Sequence, residues 1–341
     1  MERPAVADHA DHVLKVIAGN EAASSALAAS WRRSGALHAL DPSSRAQSER
    51  LPEAEIARAR ERLGSLLFAA QGSIDRLFLA VGGVGCSVVL ADPNGAILDR
   101  RGAPCDDQLF DRSGLWTGAI WSEKYEGTNG IGTCIVEERA VTIDREQHFF
   151  TRNSGLFCTT APIFDEHGDL AAALDVSSCR ADLTDGFARL IASSVADAAR
   201  VIEAENFRLA FPKARILLAP TGERYGSSLL AVDGDDLVIG ATRAARIGLG
   251  VSAASLKRPT PAADLIGSAG PEPDGIEAAE RAAVQRALAR AGGKVSKAAR
   301  PQPLARHAAS EDPAVRPRPL GLRNSGLHAP SKARRALRIA A

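Results

Sequence analysis

The chain is short of aromatic residues and nearly free of methionine: of its 341 residues, 4% are Phe, Trp or Tyr and one is Met. Its cores must therefore be built mainly from Ala, Leu and Val on helices and strands. No long apolar run follows a basic start in MERPAVADHADHVLKVIAGNEAA, so no signal peptide is read there. No later stretch approaches the roughly 20 apolar residues of a membrane span. The expectation is a cytoplasmic protein without a membrane partner. A net charge of +1 excludes a global pull on nucleic acid, so such a partner must be met by a local patch. Cys86, Cys105, Cys134, Cys158 and Cys179 are odd in number, widely spaced and without C-x-x-C, which disfavours a disulfide framework and a zinc site alike.

What is present is length enough for about two globular units with linkers. Residues 1–80 alternate apolar and charged positions at helical spacing, with Leu51-Pro52-Glu53 placed to start a helix. From 81 to 205 the pattern turns to short strands. Cys86 to Leu98 has two strand-like runs around Asp92-Pro93-Asn94-Gly95, a hairpin signal. Residues 139–144, 156–165 and 169–178 continue the sheet, the last two as adjacent antiparallel strands joined by Asp165-Glu166-His167-Gly168. Thr184-Asp185 then caps a long helix expected to place Phe187, Leu190, Ile191, Val195 and Ala198 on one face. Helices flanking an antiparallel sheet give an α+β domain. Residues 206–250 read as a small PAS-like α/β appendage. Residues 251–274, rich in Pro, Gly, Ala and Ser, read as a linker.

Enzyme signatures fail on inspection. Gly130-Ile131-Gly132 and Gly83-Val84-Gly85 lack the third glycine of a dinucleotide fingerprint, and Gly292-Gly293-Lys294 is followed by Val295 where a P-loop has Ser or Thr. His148, beside Glu146 and Asp144, has no paired ligand set. No catalytic residue, metal or cofactor is expected, and the chain is read as a non-enzyme.

The densest signal is WSEKYEGTNGIGTCIVEERAVTIDREQHFF from Trp121, followed by APIFDEHGDLAAALDVSS from Ala161. It resembles the GAF domain of bacterial enhancer-binding activators of the acetoin-catabolism-regulator type. Ser30-Trp31-Arg32-Arg33-Ser34 with Asp41-Pro42 extends the resemblance upstream, to about residues 10–250. The resemblance implies a GAF sensor that binds a small-molecule effector. Its glycines allow a sharp turn into a helix capped by Thr128 or Asn129, a start able to grip a polar group. Aromatic residues supply apolar walls. The candidate effector-binding residues are Trp121, Glu126, Thr128, Asn129, Phe149 and Phe157; each taken alone also suits a purely structural role. The related activators carry a central ATPase domain where this chain has its linker.

Residues 275–300 resemble the opening of a Fis-type helix-turn-helix. Ile276, Ala279, Ala283, Val284, Ala287, Leu288 and Ala291 line a helix ended by Gly292-Gly293, and a second helix begins at Lys294. Lys294, Ser296, Lys297 and Arg300 are the candidate DNA-binding residues. Residues 301–341 form a basic, proline-rich tail read as disordered, whose Pro301, Pro303, Pro313, Pro317 and Pro319 forbid a recognition helix. With one choice of codons for His307 to Asp312, the frame one base later encodes Thr-Leu-His-Arg-Lys, a peptide similar to the family's recognition helix. The break thus reads as a frameshift near residue 300. The function expected is that of a ligand-sensing transcription regulator, homodimeric because Fis-type units read paired half-sites, with DNA binding impaired in this chain. The alternative is a stand-alone small-molecule-binding protein acting through protein partners.

Overall fold

The computed structural model describes residues 6–220, 228–252, 254–258 and 260–266, together with Val284 and Ala287. The described residues fall within one compact unit, bounded by Met1–Ala299. Nearly all of the helix-turn-helix stretch 275–300, with Lys294, Ser296, Lys297 and Arg300, and the whole tail lie outside the described residues.

The Asp-Pro-Asn-Gly signal is a true hairpin. Asp92 accepts hydrogen bonds from the amides of Asn94 and Ala96, and Gly95 takes φ +83°. It joins β1 (Cys86–Ala91) to β2 (Ile97–Arg101). β3 (Val141–Asp144), β4 (Phe157–Phe164) and β5 (Leu170–Ser178) complete a five-stranded antiparallel sheet of order β2-β1-β5-β4-β3. The α+β arrangement expected, helices flanking an antiparallel sheet, is what the chain adopts.

Alternation along the strands gives the sheet two apolar faces. On the outer face Val88, Leu90, Ile163, Leu174 and Val176 pack on α4 (Ser65–Val81) and α8 (Asp185–Ala210). Thr184 caps α8, its hydroxyl accepting from the Phe187 amide. Ile191 and Val195 are buried against the sheet as expected, but Leu190 is 60% exposed. At 100° per residue it sits at the margin of the apolar stripe, and the sheet is covered without it. The helix from Ser65 to Val84 is long and apolar enough by length and composition to cross a membrane, contrary to the sequence expectation. Its Leu, Phe, Ile and Val residues raise the mean hydropathy, and one face of it is core: Leu66, Ala70, Ile74, Leu77 and Val81 are buried.

On the inner face Val89, Ile97, Phe110, Leu115, Trp121 and Ile131 form a second core under α5 (Asp107–Arg112), α6 (Glu123–Glu126) and α7 (Gly130–Glu137). The N-terminal helices α1 (Val6–Ala18) and α2 (Ala26–Arg32) seat Val13, Val16 and Trp31 on Phe149 and Phe150. A π-helical turn, Arg33–Leu37, follows α2, and a strap then leads to α3 (Glu53–Leu63).

After α8, β6 (Arg215–Leu218), β7 (Leu229–Val232) and β8 (Val238–Ala241) form a separate antiparallel sheet, order β6-β7-β8, with α9 (Arg243–Leu249). Residues 251–266, read as linker, are in part packed on it. The Val238 amide donates to the Thr260 carbonyl, the Ala262 amide to the Asp236 carbonyl, and α10 (Ala262–Ile266) buries Ala262 in the core of the small sheet. Leu256, Leu265 and Ile266 give this proline-rich stretch enough apolar surface to dock.

Candidate functional site

The glycine-rich stretch 127–132 is shaped by close approach. Gly127 ends α6 at φ +59°, and a Cβ there would lie 2.6 Å from Phe149 Cβ. A Cβ on Gly132 would meet the Glu123 amide at 2.5 Å, and one on Gly130 would meet Thr160 Oγ1 at 2.5 Å. Only glycine lets α7 press onto both α6 and the sheet. Asn129 is its N-cap: Oδ1 accepts from the Gly132 amide at 2.8 Å, and Nδ2 donates to the Gly127 carbonyl at 2.8 Å.

Behind this turn lies a buried carboxylate. The Glu123 side chain is 1% exposed and accepts four donors from three residues besides its own turn: Ser30 Oγ at 2.6 Å, Thr133 Oγ1 at 2.9 Å, and the Arg33 guanidinium at 2.9 and 3.0 Å. Arg33 also reaches Glu137 at 3.0 Å, and its hydrogen bond to Glu123 raises its pKa. A carboxylate so buried is tolerated because Oε1 accepts from Ser30, Thr133 and Arg33 Nη2 while Oε2 accepts from Arg33 Nε. Ser30 and Arg33 were visible in the sequence as resemblance residues without a role. The structure gives them one: they bolt α2 to α6 and α7.

Four of the six candidate effector residues surround this turn as parts of its own frame. Glu126, also buried, accepts from Arg152 Nη2 at 2.8 Å and Asn153 Nδ2 at 3.1 Å. Thr128 lies 2.7 Å from Ser30 Oγ. Asn129 is the cap, and Phe149 packs on Gly127 and edge-on to Phe150. Trp121 is buried in the inner-face core, where Nε1 donates to the Gly114 carbonyl at 2.8 Å. Phe157 stands apart, on the outer face against α4 and α8. Two cavities border the frame. One of about 220 Å³ is lined by Ser30, Thr128, Thr133 and residues 139–143. The other, about 800 Å³, lies between the 43–50 strap, the end of α5 and residues 151–153, with Arg45, Arg50, Arg112 and Arg152 against Asp111.

Asp175, on β5, belongs to the resembling stretch but has no role assigned from the sequence, although an acid between Leu174 and Val176 in a buried strand is itself a signal. It is fully buried, receives Thr160 and Ser177 hydroxyls at 2.5 Å each, and burial raises its pKa to about 6 against those two hydrogen bonds. His148 is buried with Nδ1 donating to the Arg145 carbonyl, and burial lowers its pKa to about 4. It is a neutral core imidazole. Among the described residues no group of three His, Cys, Asp or Glu could hold a metal ion.

Residues 9–201, more than half of the chain, match the family described as MimR, N-terminal domain. The chain belongs to this family. The matched span runs from α1 through most of α8 and so contains the inner core, the outer core except Ile202, and the Glu123 frame. Over 222 residues the chain is 32% identical to the acetoin catabolism regulatory protein of Cupriavidus necator, covering 64% of this chain and 33% of that one. Over 220 residues it is 27% identical to the propane 2-monooxygenase operon transcriptional activator MimR of Mycolicibacterium smegmatis, covering 63% and 36%. The chain thus spans about a third of the length of these relatives. They are named as transcriptional regulators, not as enzymes. Among solved structures, the E. coli DhaR(N)-DhaL complex aligns at TM-score 0.48 and 18% identity, covering 70% of this chain and 80% of that one.

Proposed function

We propose that this MimR-family chain is the sensing part of a cytoplasmic transcription regulator, in which a small molecule bound by the α+β domain controls a Fis-type DNA-binding unit impaired in this chain. One observation carries the reading: the α1–α8 span is shared with regulators of two different operons, acetoin catabolism and propane 2-monooxygenase. A module common to regulators of different catabolic genes is suited to sensing the compound being catabolised. The effector-binding role of Trp121, Glu126, Thr128, Asn129, Phe149 and Phe157 is part of the proposal. In this reading Glu126 and Asn129 act from within the turn, and Thr128 also from the wall of the cavity of about 220 Å³.

DNA contact is assigned to Lys294, Ser296, Lys297 and Arg300. The assembly is a homodimer, supported by the apolar positions left exposed on adjacent helices: Phe68 and Leu79 on α4, Leu190 and Val201 on α8. A mobility-shift titration on the DNA upstream of its own gene tests the reading. The chain should bind weakly and without sequence preference, and a version with the frame restored after residue 300 should bind specifically and respond to effector. No specific binding by the restored protein refutes the regulator reading. Co-purification of an intact regulator with a chain that never binds DNA favours the stand-alone alternative.

A further inference from the structure

Buried hydrogen-bond donors without acceptors are rare in folded proteins, and two of them here belong to one guanidinium. Arg100 Nε and Nη2 are buried and unpartnered, on a side chain 9% exposed. The group is otherwise well held: Nη1 donates to Asp107 Oδ1 at 2.8 Å, and Cζ lies 4.3 Å from the centroid of the Trp116 ring and 5.5 Å from that of Phe110. These contacts hold the guanidinium in place and leave the buried Nε/Nη2 edge without an acceptor.

Its position in the sheet is equally specific. On β2, Arg100 pairs with Val89 of β1, and Val89 pairs with Asp175 of β5. Val89 belongs to the inner-face core, so Arg100 and Asp175 stand on the same face, two strands apart. Gly102 packs directly on the guanidinium, with no side chain between. A cation kept nine-tenths from water with an idle edge is costly unless something completes it. The Nε/Nη2 edge presents two parallel N–H groups, the spacing that takes both oxygens of one carboxylate.

We propose that the effector is a carboxylate-bearing small molecule whose carboxylate docks on the Nε/Nη2 edge of Arg100, beside Trp116. The inference rests on the sensor reading above, adds Arg100, which lies outside the six effector residues given there, as the anchor of the carboxylate, and names the chemical class that reading leaves open. Lysine at this position keeps the charge but loses the paired donors; glutamine loses both.

The test is a titration of the full chain with sodium acetate and sodium benzoate at constant ionic strength, following thermal unfolding and Trp fluorescence. Acetamide and benzamide serve as uncharged counterparts. The carboxylates should raise Tm saturably and the amides should not. Arg100→Lys and Arg100→Gln, folded by circular dichroism, should bind the carboxylate roughly tenfold or more weakly. Equal response to acid and amide, or unchanged carboxylate affinity in both variants, overturns the Arg100 assignment while leaving a ligand-binding module. No response to either carboxylate also overturns it, and a response to other, uncharged metabolites then leaves the sensor reading standing.

Discussion

Glu123 illustrates how a buried charge is kept: Ser30, Thr133 and Arg33 together occupy its oxygens, and two of the three come from about 90 residues upstream. Glu123→Ala leaves Arg33, Ser30 and Thr133 without their acceptor, and the expected loss is about 2–4 kcal/mol by urea unfolding. Limited proteolysis should then cut first in the 38–52 strap, because α2 is released. Asp175 and His148 titrate with opposite sign. The folded-state pKa of Asp175 lies above its ordinary 3.8, so its contribution is fully present below about pH 4 and is lost as pH rises through about 6. That of His148 lies below its ordinary 6.5, so its contribution is present above about pH 6.5 and is lost as pH falls towards 4. The two slopes offset each other in the wild type. Asp175→Asn removes one of them, and its stability relative to wild type, read by urea unfolding, should rise between about pH 4 and pH 7. A difference that does not change with pH would mean that Asp175 is ionised throughout.

At the scale of elements, the hairpins and the long helix were legible because their signals are local. Asp92 to Gly95, Asp165 to Gly168 and Thr184 each make their hydrogen bonds within four residues. What escaped depends on partners distant in the chain. The face that Phe157 takes, against α4 and α8, is not legible in the sequence, since period-two alternation does not say which face of a doubly covered sheet a residue occupies. The 251–266 stretch was read as linker because its composition is that of one, while its docking depends on the edge of β8. The Glu123 frame could not be assembled from spacing alone, although all its members were within motifs that the resemblance had marked. Gly132 shows the cost of these crossings. Gly132→Ala would place a methyl 2.5 Å from the Glu123 amide, where backbone rather than a flexible side chain must yield. A loss of about 1–3 kcal/mol in thermal unfolding is expected.

For the molecule as a whole, α4 and α8 carry the consequence of covering one sheet with two long helices: each turns an apolar stripe outward. Phe68 and Leu79 are 75% and 82% exposed, eleven residues apart on one stripe of α4. In the homodimer proposed above they are buried, so Phe68→Glu with Leu79→Glu should yield monomers in light scattering without loss of helix by circular dichroism. A double variant that stays dimeric would place the interface elsewhere. The central claim, that the span shared with the MimR family is a sensor, is tested most directly by thermal unfolding of the chain across a panel of small catabolic substrates, charged and neutral. A ligand present at 100 times its Kd adds about 2.7 kcal/mol of stability, which for a domain of this size is a saturable rise in Tm of roughly 5–10 °C. A Tm that stays flat for every compound in the panel would contradict the account.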